Sequence, residues 1–406
     1  ISFILEKIPL GLTASICAIG LTLTGVLDAQ TTFAQYVNSN VILCVGMFVV
    51  GQALFETGMA NKIGGLVTKF AKTEKMLIVA IMVIVGIMSG FLSNTGTAAV
   101  LIPVVCGIAD ESGYSRSRLL MPLVFAAALG GNLSIIGAPG NLMGVNALQE
   151  MGLSTSFFMY APVGVPMLIL GILYFAFIGY RFLPDGKTAV TEEVGEQKDF
   201  SNVPKWKQEV SLIVLILVIL AMIFEKEIGI SIEVSACIGA IVLVLTGVIS
   251  EKEALKSIDL KVVFLFGGSL TLAKALDTTG AGELIADKIV GLLGADPSPI
   301  LLLLVIFIVT CVLTNFMSNT ATTALMIPIA VSLANNLGAD PRAVVIATVI
   351  AGSCAYATPI GMPANTMVVG LGGYKFKDYV KSGLPLILVS FVICMILLPI
   401  LFPFYP

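Results

Sequence analysis

Histidine is absent from this sequence, and charged side chains make up only 12% of its 406 residues, about half the share of a typical soluble domain. The chain therefore has no histidine-activated nucleophile, no histidine proton relay and no histidine metal ligand. The seven cysteines are scattered with no Cys-x-x-Cys pair, which argues against a disulfide framework or a thiolate metal site. The net charge of −3 provides no basic surface, so we expect no nucleic-acid partner.

Apolar residues are abundant instead, at 57% of the chain with a mean hydropathy of +1.03. Continuous apolar runs such as 157–180, 209–224 and 383–403 approach or exceed the roughly 18–20 residues that span a bilayer. This composition predicts an all-α polytopic membrane protein that is surrounded by lipid.

A polar tripeptide, Ser-Asn-Thr, interrupts two of the apolar regions, in SNTGT (93–97) and in SNTAT (318–322). Around it, residues 89–104 align with 314–329 at a spacing of 225 residues. A second pair of motifs, SIIGAPGN and TPIGMPAN, follows at a spacing of 224, and ALFETG and ALDTTG precede at 222. Unrelated membrane helices would share leucine and valine rather than these residues, so the repeats predict two homologous halves.

The positions of lysine and arginine predict how the halves sit in the membrane, because cytoplasmic loops collect these residues. Both ends of 75–115 are cationic, whereas 297–338 is flanked mainly by aspartate, so we predict two re-entrant hairpins that open to the cytoplasm and to the outside respectively. A broken helix follows each hairpin, at 119–150 and 343–372. On this inverted-topology arrangement, which many secondary transporters share, the only non-cytoplasmic Lys and Arg are Lys226, Lys274, Lys288 and Arg342.

The predicted organisation is a first inverted repeat at 1–182, a cytoplasmic linker at 183–207 and a second inverted repeat at 208–406. The sequence begins with isoleucine, and its first half has no counterpart to the apolar segment 209–227. We therefore expect at least one further helix to precede the first residue. The linker is polar, carries the single tryptophan and contains no recognisable chemistry.

The two repeated motifs are suited to binding ions at membrane depth, where non-helical backbone is tolerated only inside protein or against a cavity. A hairpin tip exposes the last carbonyls of one helix and the first amides of the next. Carbonyl oxygens coordinate Na⁺, while amides at the positive end of a helix attract anions. Within Gly-x-Pro-x-Asn, proline removes an amide donor and glycine permits unusual φ angles, so the helix breaks. Small polar residues also serve simply to pack helices, but the duplication of both motifs favours a midplane binding site.

Four further residues are weaker candidates. Glu56 and Asp277 are intramembrane acids, which are functional candidates by default, but each lies beside Thr-Gly and the repeat does not align them, so a structural role is favoured. Tyr356 is placed to shape a pocket at the second broken helix, and Cys354 is more typical of a small packing residue.

With two Ser-Asn-Thr motifs in inverted halves, each followed by Gly-x-Pro-x-Asn, nearly the whole chain resembles the divalent anion/sodium symporter family, the dicarboxylate transporters of the ion transporter superfamily. The resemblance implies a multi-pass plasma-membrane protein that forms a homodimer and has a scaffold and an elevator-type transport domain. It also implies import of C4-dicarboxylates such as succinate, malate and fumarate, coupled to two or more Na⁺ ions.

The resemblance further implies roles for individual residues. The substrate carboxylates would be held by Asn94 and Thr95 together with Asn319 and Thr320, and the substrate would also border Ser134, Thr358 and Pro359. One Na⁺ would lie at Ser89, Ser93, Asn94 and the loop from Leu133 to Gly137. A second Na⁺ would lie at Thr314, Ser318, Asn319 and Ala357. In the first broken helix, Leu133-Ser134 stands where the family pattern has a glycine before a threonine-like residue.

Other functions stay open at this point. A Na⁺-independent dicarboxylate or tricarboxylate exchanger would differ from a symporter in its coupling alone, and a gated anion channel would conduct without an elevator. An intramembrane enzyme would need an activated nucleophile or a metal set, which the lack of histidine and of clustered acids disfavours. No Lys or Arg lies in the predicted site, so helix ends and bound Na⁺ would have to balance a dianion, which favours symport.

Overall fold

The structure is a computed structural model, and it describes residues 7–65, 73–184, 200, 202–282, 284, 287, 288 and 298–405. Over these residues it is helical with no strand, as predicted. The helices of the first half are α1 (Leu10–Leu23), α2 (Ala29–Ala34), α3 (Ser39–Glu56), α4 (Met59–Gly64), α5 (Glu74–Ser89), α6 (Asn94–Ser112), α7 (Arg116–Gly130), α8 (Pro139–Glu150) and α9 (Ala161–Phe177). Those of the second half are α10 (Lys205–Ile223), α11 (Glu225–Ile228), α12 (Ile232–Leu245), α13 (Glu251–Ser257), α14 (Leu260–Thr279), α15 (Pro299–Thr314), α16 (Asn319–Asn336), α17 (Pro341–Gly352), α18 (Pro363–Gly372) and α19 (Phe376–Leu401).

Within the described ranges, three helical segments are long and apolar enough to cross a membrane, namely Ala29–Glu56, Lys205–Ile223 and Phe376–Leu401. Several other apolar helices, such as Pro299–Thr314 and Pro341–Gly352, are shorter than the roughly 20 residues of a full span. Short apolar helices are what hairpin arms and broken helices require, because each of them covers only part of the membrane depth.

Each predicted hairpin is a pair of packed helices joined by a four-residue turn that ends at the serine of Ser-Asn-Thr. Ser93 starts α6 by accepting a hydrogen bond from the backbone N–H of Gly96 at 3.1 Å, and Ser318 starts α16 by accepting one from Ala321 at 3.2 Å. Serine is a favoured N-cap residue, so the motif itself ends one arm and begins the next. Residue 297, at the start of the second predicted hairpin, lies outside the described residues.

Both predicted broken helices are interrupted as expected. Residues 131–138 separate α7 from α8, and residues 353–362 separate α17 from α18. The helices that follow begin with Pro139 and Pro363, at the position where the fixed φ of proline suits a helix and its missing N–H costs nothing.

The helices pack as two sets, each drawn from both halves. The first set, which we call the frame helices, comprises α1–α4 and α10–α14. Its halves meet where Gly46 of α3 lies against Ala236 of α12, and where Gly268 of α14 lies against Ala14 of α1. A Cβ at Gly46 would stand 2.8 Å from the Ala236 Cβ, and one at Gly268 would stand 2.6 Å from the Ala14 Cβ. The partners of both contacts are related by 222 residues, so small residues bring equivalent helices together in both halves.

The second set, which we call the site helices, comprises α5–α9 and α15–α19. Here α8 of the first half packs on α16 and α17 of the second, and α18 of the second half packs on α6 and α7 of the first. The contacts between the two sets run mainly from α3, α4 and α14 to α6, α8 and α16. The second part of each broken helix therefore reaches across to the hairpin of the other half.

The predicted linker is only partly described, because residues 185–199 and 201 lie outside the described residues. Its last residues belong to α10, which begins at Lys205, so Trp206 is helical rather than part of a connecting loop. The Trp206 side chain is exposed, as is common for tryptophan at a membrane interface.

Candidate functional site

The tip of the first hairpin lies against the first broken helix through the side chain of Asn94. One atom of the Asn94 amide lies 3.1 Å from the carbonyl oxygen of Ala127, 3.2 Å from that of Gly137 and 2.7 Å from Ser89 Oγ. The Ser89 hydroxyl itself donates to the Ala127 carbonyl at 2.7 Å. Asn94 and Ser89 are buried, so this cluster is shielded from solvent.

The second hairpin repeats this geometry with equivalent residues. One atom of the Asn319 amide lies 3.2 Å from the carbonyl oxygen of Gly352, 3.0 Å from that of Gly361 and 2.9 Å from Thr314 Oγ1. Thr314 donates to the Gly352 carbonyl at 2.5 Å. Each of these partners is 224 or 225 residues from its counterpart in the first half.

Both clusters have the donor set of a hard-cation site. With Nδ2 turned toward the two carbonyls and the hydroxyl, each asparagine amide donates hydrogen bonds to them, and with Oδ1 turned toward them it adds a fourth oxygen to a cluster that a hard cation can occupy. Carbonyl, amide and hydroxyl oxygens are ligands that hard cations take, and unwound carbonyls coordinate Na⁺ in secondary transporters. The residues present therefore fit Na⁺.

Glycine is required at the positions that close these clusters. A Cβ added at Gly137 would overlap the carbonyl oxygen of Gly131, and one added at Gly361 would stand 2.8 Å from the carbonyl oxygen of Thr314. At Gly361 the broken helix approaches the hairpin, and at Gly137 the loop folds back on itself, this closely only because no side chain intervenes.

Several residues that the resemblance places in the site bond to the end of the first hairpin arm. The Ala357 N–H donates to Asn315 Oδ1 at 2.9 Å, and the Thr358 hydroxyl donates to the Asn315 carbonyl at 2.5 Å. The structure thus brings Gly361, and not Ala357, to Asn319. In the first half, Ser134 likewise donates to the Gly90 carbonyl at 2.5 Å. These residues brace the broken helix against the end of the first hairpin arm.

The structure also shows where Leu133 lies, the residue that departs from the family pattern. Its Cβ lies beside Gly90, and the carbonyl that faces Asn94 comes from Gly137, the first residue of the Gly-x-Pro-x-Asn motif. The repeat alignment at a spacing of 224 pairs Gly137 with Gly361, so Gly361 could have been identified from the sequence. No side-chain pattern marks the carbonyls of Ala127 and Gly352 as ligands.

The asparagine of each Gly-x-Pro-x-Asn motif holds the loop in place. Asn141 Nδ2 donates to the carbonyls of Gly131 and Ser134, both at 2.7 Å. Asn365 Nδ2 donates to those of Ala355 and Thr358, at 2.7 and 3.0 Å. Both asparagines are fully buried. They fix the loop shape that presents the glycine carbonyls to the hairpin tip.

The remaining predicted residues lie at helix starts. Thr95 and Thr320 are half-buried in the first turns of α6 and α16, and Pro359 is half-buried in the second break. The first amides of a helix have no intrahelical partner and carry its positive end, so they attract carboxylates. The start of α8 meets the first turn of α16, because a Cβ at Gly140 would stand 2.9 Å from Thr323 Oγ1. Helix starts from the two halves therefore face one another.

The four weaker candidates lie away from these clusters. Glu56 accepts a hydrogen bond from Gln52 at 2.8 Å, and the exposed Asp277 forms an ion pair with Lys274 at 3.4 Å. Cys354 and Tyr356 are fully buried, and the Tyr356 ring packs on Phe125 at 5.4 Å between centroids. Tyr356 thus belongs to the core of the site helices.

Comparison with known proteins gives consistent matches. The model of the citrate transporter family matches residues 1–349 and 219–405. The sodium-dependent dicarboxylate transporter SdcS of Staphylococcus aureus is 26% identical, with 99% of this chain and 84% of the relative covered. The uncharacterized transporter YfbS of Escherichia coli K12 is 23% identical, with 99% and 97% covered. Among solved structures, the YdaH transporter of Alcanivorax borkumensis has a TM-score of 0.71 at 16% identity, covering 97% of this chain and 98% of that one.

Proposed function

Because this chain belongs to the citrate transporter family, and is thus a membrane transporter and not an enzyme, we propose that it imports C4-dicarboxylates such as succinate, malate and fumarate in symport with Na⁺. The observation that carries this proposal is the duplicated oxygen cluster around Asn94 and Asn319. The relative named as a sodium-dependent dicarboxylate transporter supports the same substrate class and coupling ion.

In this proposal one Na⁺ binds at each oxygen cluster. Asn94, Ser89 and the carbonyls of Ala127 and Gly137 would hold the first ion. The second ion would be held by the equivalent set, namely Asn319, Thr314, Gly352 and Gly361. The N-cap serines, Ser93 and Ser318, hold the tips in shape from the adjacent turn.

The substrate carboxylates would bind at the starts of α6 and α16, beside Thr95 and Thr320. No Lys or Arg occurs in 76–115, 119–180, 298–341 or 343–374, which contain the hairpins and broken helices except for the first residues of α5, α7 and α17. A dianion therefore depends on helix amides and on the bound cations for its charge balance. Binding of Na⁺ would raise the affinity for the substrate, and the substrate would raise the affinity for Na⁺ by the same factor, which is the basis of coupling.

We also propose that the site helices slide against the frame helices, in an elevator motion within an inverted repeat. In the first half Gly64 lies beside Leu101, whereas in the second half Gly282 lies beside Ser332. Subtracting the repeat spacings of 222 and 225 from Gly282 and Ser332 places the second contact at positions 60 and 107 of the first half. The two halves therefore meet the frame in different registers. An exchange of the two registers would move the site relative to the frame.

Uptake of labelled succinate into proteoliposomes tests the proposal. We expect accumulation that requires an inward Na⁺ gradient and that unlabelled malate and fumarate inhibit. A Na⁺-independent dicarboxylate or tricarboxylate exchanger would instead take up label only when the vesicles are preloaded with dicarboxylate or citrate. Uptake that ignores Na⁺ under both conditions would contradict the symport proposal. The homodimer stays a prediction, which the mass of the purified protein in detergent tests.

A further inference from the structure

A groove of about 770 Å³ lies beside the tip of the second hairpin, between α15 and α19. It runs along α19 from Phe376 to Phe391, and Asn315 and Thr358 line it beside the hairpin tip. The side chains that define its walls are Phe307, Cys311 and Phe316 on the hairpin and Val380, Leu384 and Leu388 on α19. Phe316 and Leu388 are 62% and 60% exposed, although both are large and apolar.

The polar atoms at the end of the groove are already satisfied by the protein. The Asn315 amide nitrogen donates to the carbonyls of Cys311 and Cys354, at 2.8 and 3.1 Å, and its oxygen accepts from the Ala357 N–H. The Thr358 hydroxyl donates to the Asn315 carbonyl. The groove therefore offers a ligand only apolar surface at this end, which suits hydrocarbon rather than a polar molecule.

The equivalent place in the first half is filled by the chain itself. Phe91, the counterpart of Phe316, packs on Phe157 and Phe158 with ring centroids 6.5 and 6.4 Å away. Those rings come from the ten-residue connection between α8 and α9. In the second half only residues 373–375 connect α18 to α19. A hairpin that stops at half depth leaves this space beside its tip, and the second half has no loop of its own to fill it.

Basic side chains flank the groove at the start of α19. Lys377 and Lys381 are exposed and one helical turn apart, each next to a groove residue in sequence. The nearby Asp378 is buried and accepts a hydrogen bond from the backbone N–H of Lys375 at 2.8 Å, so its carboxylate is engaged by the helix start. Exposed lysines at the cytoplasmic end of a membrane helix attract anionic lipid headgroups.

We propose that this groove binds an anionic phospholipid of the cytoplasmic leaflet, with its phosphate at Lys377 and Lys381 and one acyl chain that passes Phe316 and follows α19 to Leu388. The thirteen residues from Phe376 to Leu388 span about 18 Å, which is close to the half-thickness of a hydrocarbon core of about 30 Å. The leaflet is taken from the proposed topology, in which the start of α19 is cytoplasmic. The lipid thus replaces the loop that covers the first hairpin tip.

The single tryptophan of the chain makes a direct test possible. In a Trp206→Phe background, Leu384→Trp places the only indole in the groove, and Leu388→Trp is a second probe should the first fail to fold. Leu217→Trp, on the exposed face of α10, is the matched control for ordinary lipid contact. Each full-length variant is reconstituted in vesicles that contain either brominated phosphatidylglycerol or brominated phosphatidylcholine, and quenching gives the relative association constant.

We expect brominated phosphatidylglycerol to associate roughly tenfold more strongly than brominated phosphatidylcholine at the groove probe, and equally at the control. The double variant Lys377→Gln/Lys381→Gln should reduce the groove ratio to about one while quenching persists. Equal ratios at both probes, or a ratio that the double variant leaves unchanged, would overturn the proposal. If neither lipid quenches the groove probe while both quench the control, the proposal is overturned, and a second copy of the protein covers the groove instead. Because the readout needs neither Na⁺ nor substrate, it is independent of the uptake assay.

Discussion

The two half-sites keep the same inner contacts but differ in what surrounds them. In both, an asparagine at the hairpin tip meets two backbone carbonyls and a hydroxyl, at distances of 2.7–3.2 Å in each half. Around the first tip, aromatic rings from the chain cover Phe91, whereas around the second, Phe316 faces an open groove. The contacts of the two proposed cation sites are alike because each depends on a backbone atom at a fixed place, while the surrounding packing differs.

A second difference lies where the site helices meet the frame helices. Asn40 of α3 donates to Asn146 Oδ1 at 3.3 Å and to Gln149 Oε1 at 3.0 Å, both on α8. The repeat spacing of 222 places Val262 at the equivalent position of α14, where no such donor exists. The first half therefore has a polar contact between α3 and α8 that the equivalent position of the second half lacks, whereas in the second half Asn336 of α16 donates to Asp287 Oδ1 at 2.5 Å.

Replacing either tip asparagine should have the largest effect of any change considered. Asn94→Ala and Asn319→Ala each remove one oxygen of a cluster, and we expect Na⁺-driven succinate uptake to fall by roughly 100-fold in both. The measurement is the initial rate in proteoliposomes at a fixed Na⁺ gradient. Because the two clusters have the same inner geometry, the two variants should be equally impaired.

The matched control is Asn335→Ala, an exposed asparagine on the outer part of α16, which should transport normally. Thermal unfolding of all three variants in detergent separates lost function from lost folding. Normal uptake by both tip variants would show that the site is elsewhere. Normal uptake by one variant alone would show that the two half-sites do not contribute equally to transport.

The second prediction separates the residue that the structure brings to Asn319 from the one that the resemblance implied. In Gly361→Ala the added Cβ would stand 2.8 Å from the Thr314 carbonyl oxygen, so the Gly361 carbonyl must move. We expect the apparent Na⁺ affinity to fall about tenfold. Ala357→Ser should leave it within about twofold, because Ala357 bonds to Asn315 instead. The Na⁺ dependence of uptake is the measurement, and a larger effect for Ala357→Ser would favour the implied assignment.

Much of the fold was predictable from the sequence because its key residues act locally. Ser93 and Ser318 cap helices wherever they are placed, and the prolines of the two Gly-x-Pro-x-Asn motifs begin helices, so the hairpin turns and the breaks fall within the predicted segments. The all-α membrane fold followed from composition in the same way. None of these features depends on how distant parts of the chain meet.

The carbonyl partners were harder to predict because they depend on the path of an irregular loop. Within the ten residues between α17 and α18, the sequence offers Ala357 and Gly361 equally as backbone ligands. The choice is made by two side chains that fix the path of the loop. Asn365 donates to the Ala355 carbonyl, and Thr358 donates to the Asn315 carbonyl in the hairpin. The groove escaped prediction for a similar reason: the short 373–375 connection is visible in the sequence, but the space it leaves uncovered is not.

A third prediction concerns the polar contact that only the first half has. Asn40→Ala removes the hydrogen bonds to Asn146 and Gln149, which we expect to shift the balance between the two registers about fivefold away from the one described here. Spin labels are attached at Lys62→Cys and Asp110→Cys in a background without reactive native cysteines. The distance between the labels differs in the two registers, so the populations of the two distances give the balance. The matched change Val262→Ala should leave the balance unchanged. An equal shift in both variants would mean that packing, and not the polar contact, holds the register.

The smallest expected effect concerns the two hydroxyls that brace the broken helices. Ser134→Ala and Thr358→Val each leave a buried carbonyl, of Gly90 or Asn315, without its hydroxyl donor, at a cost of about 1–3 kcal/mol in stability. Thr358→Val should cost more, because Asn315 in turn supports three further contacts that its counterpart Gly90 lacks. Thermal unfolding in detergent gives the order, and uptake by both variants should stay within about threefold of the parent. If instead either variant loses transport at unchanged stability, that hydroxyl contacts the substrate, as the resemblance implied, and the brace is not its main role.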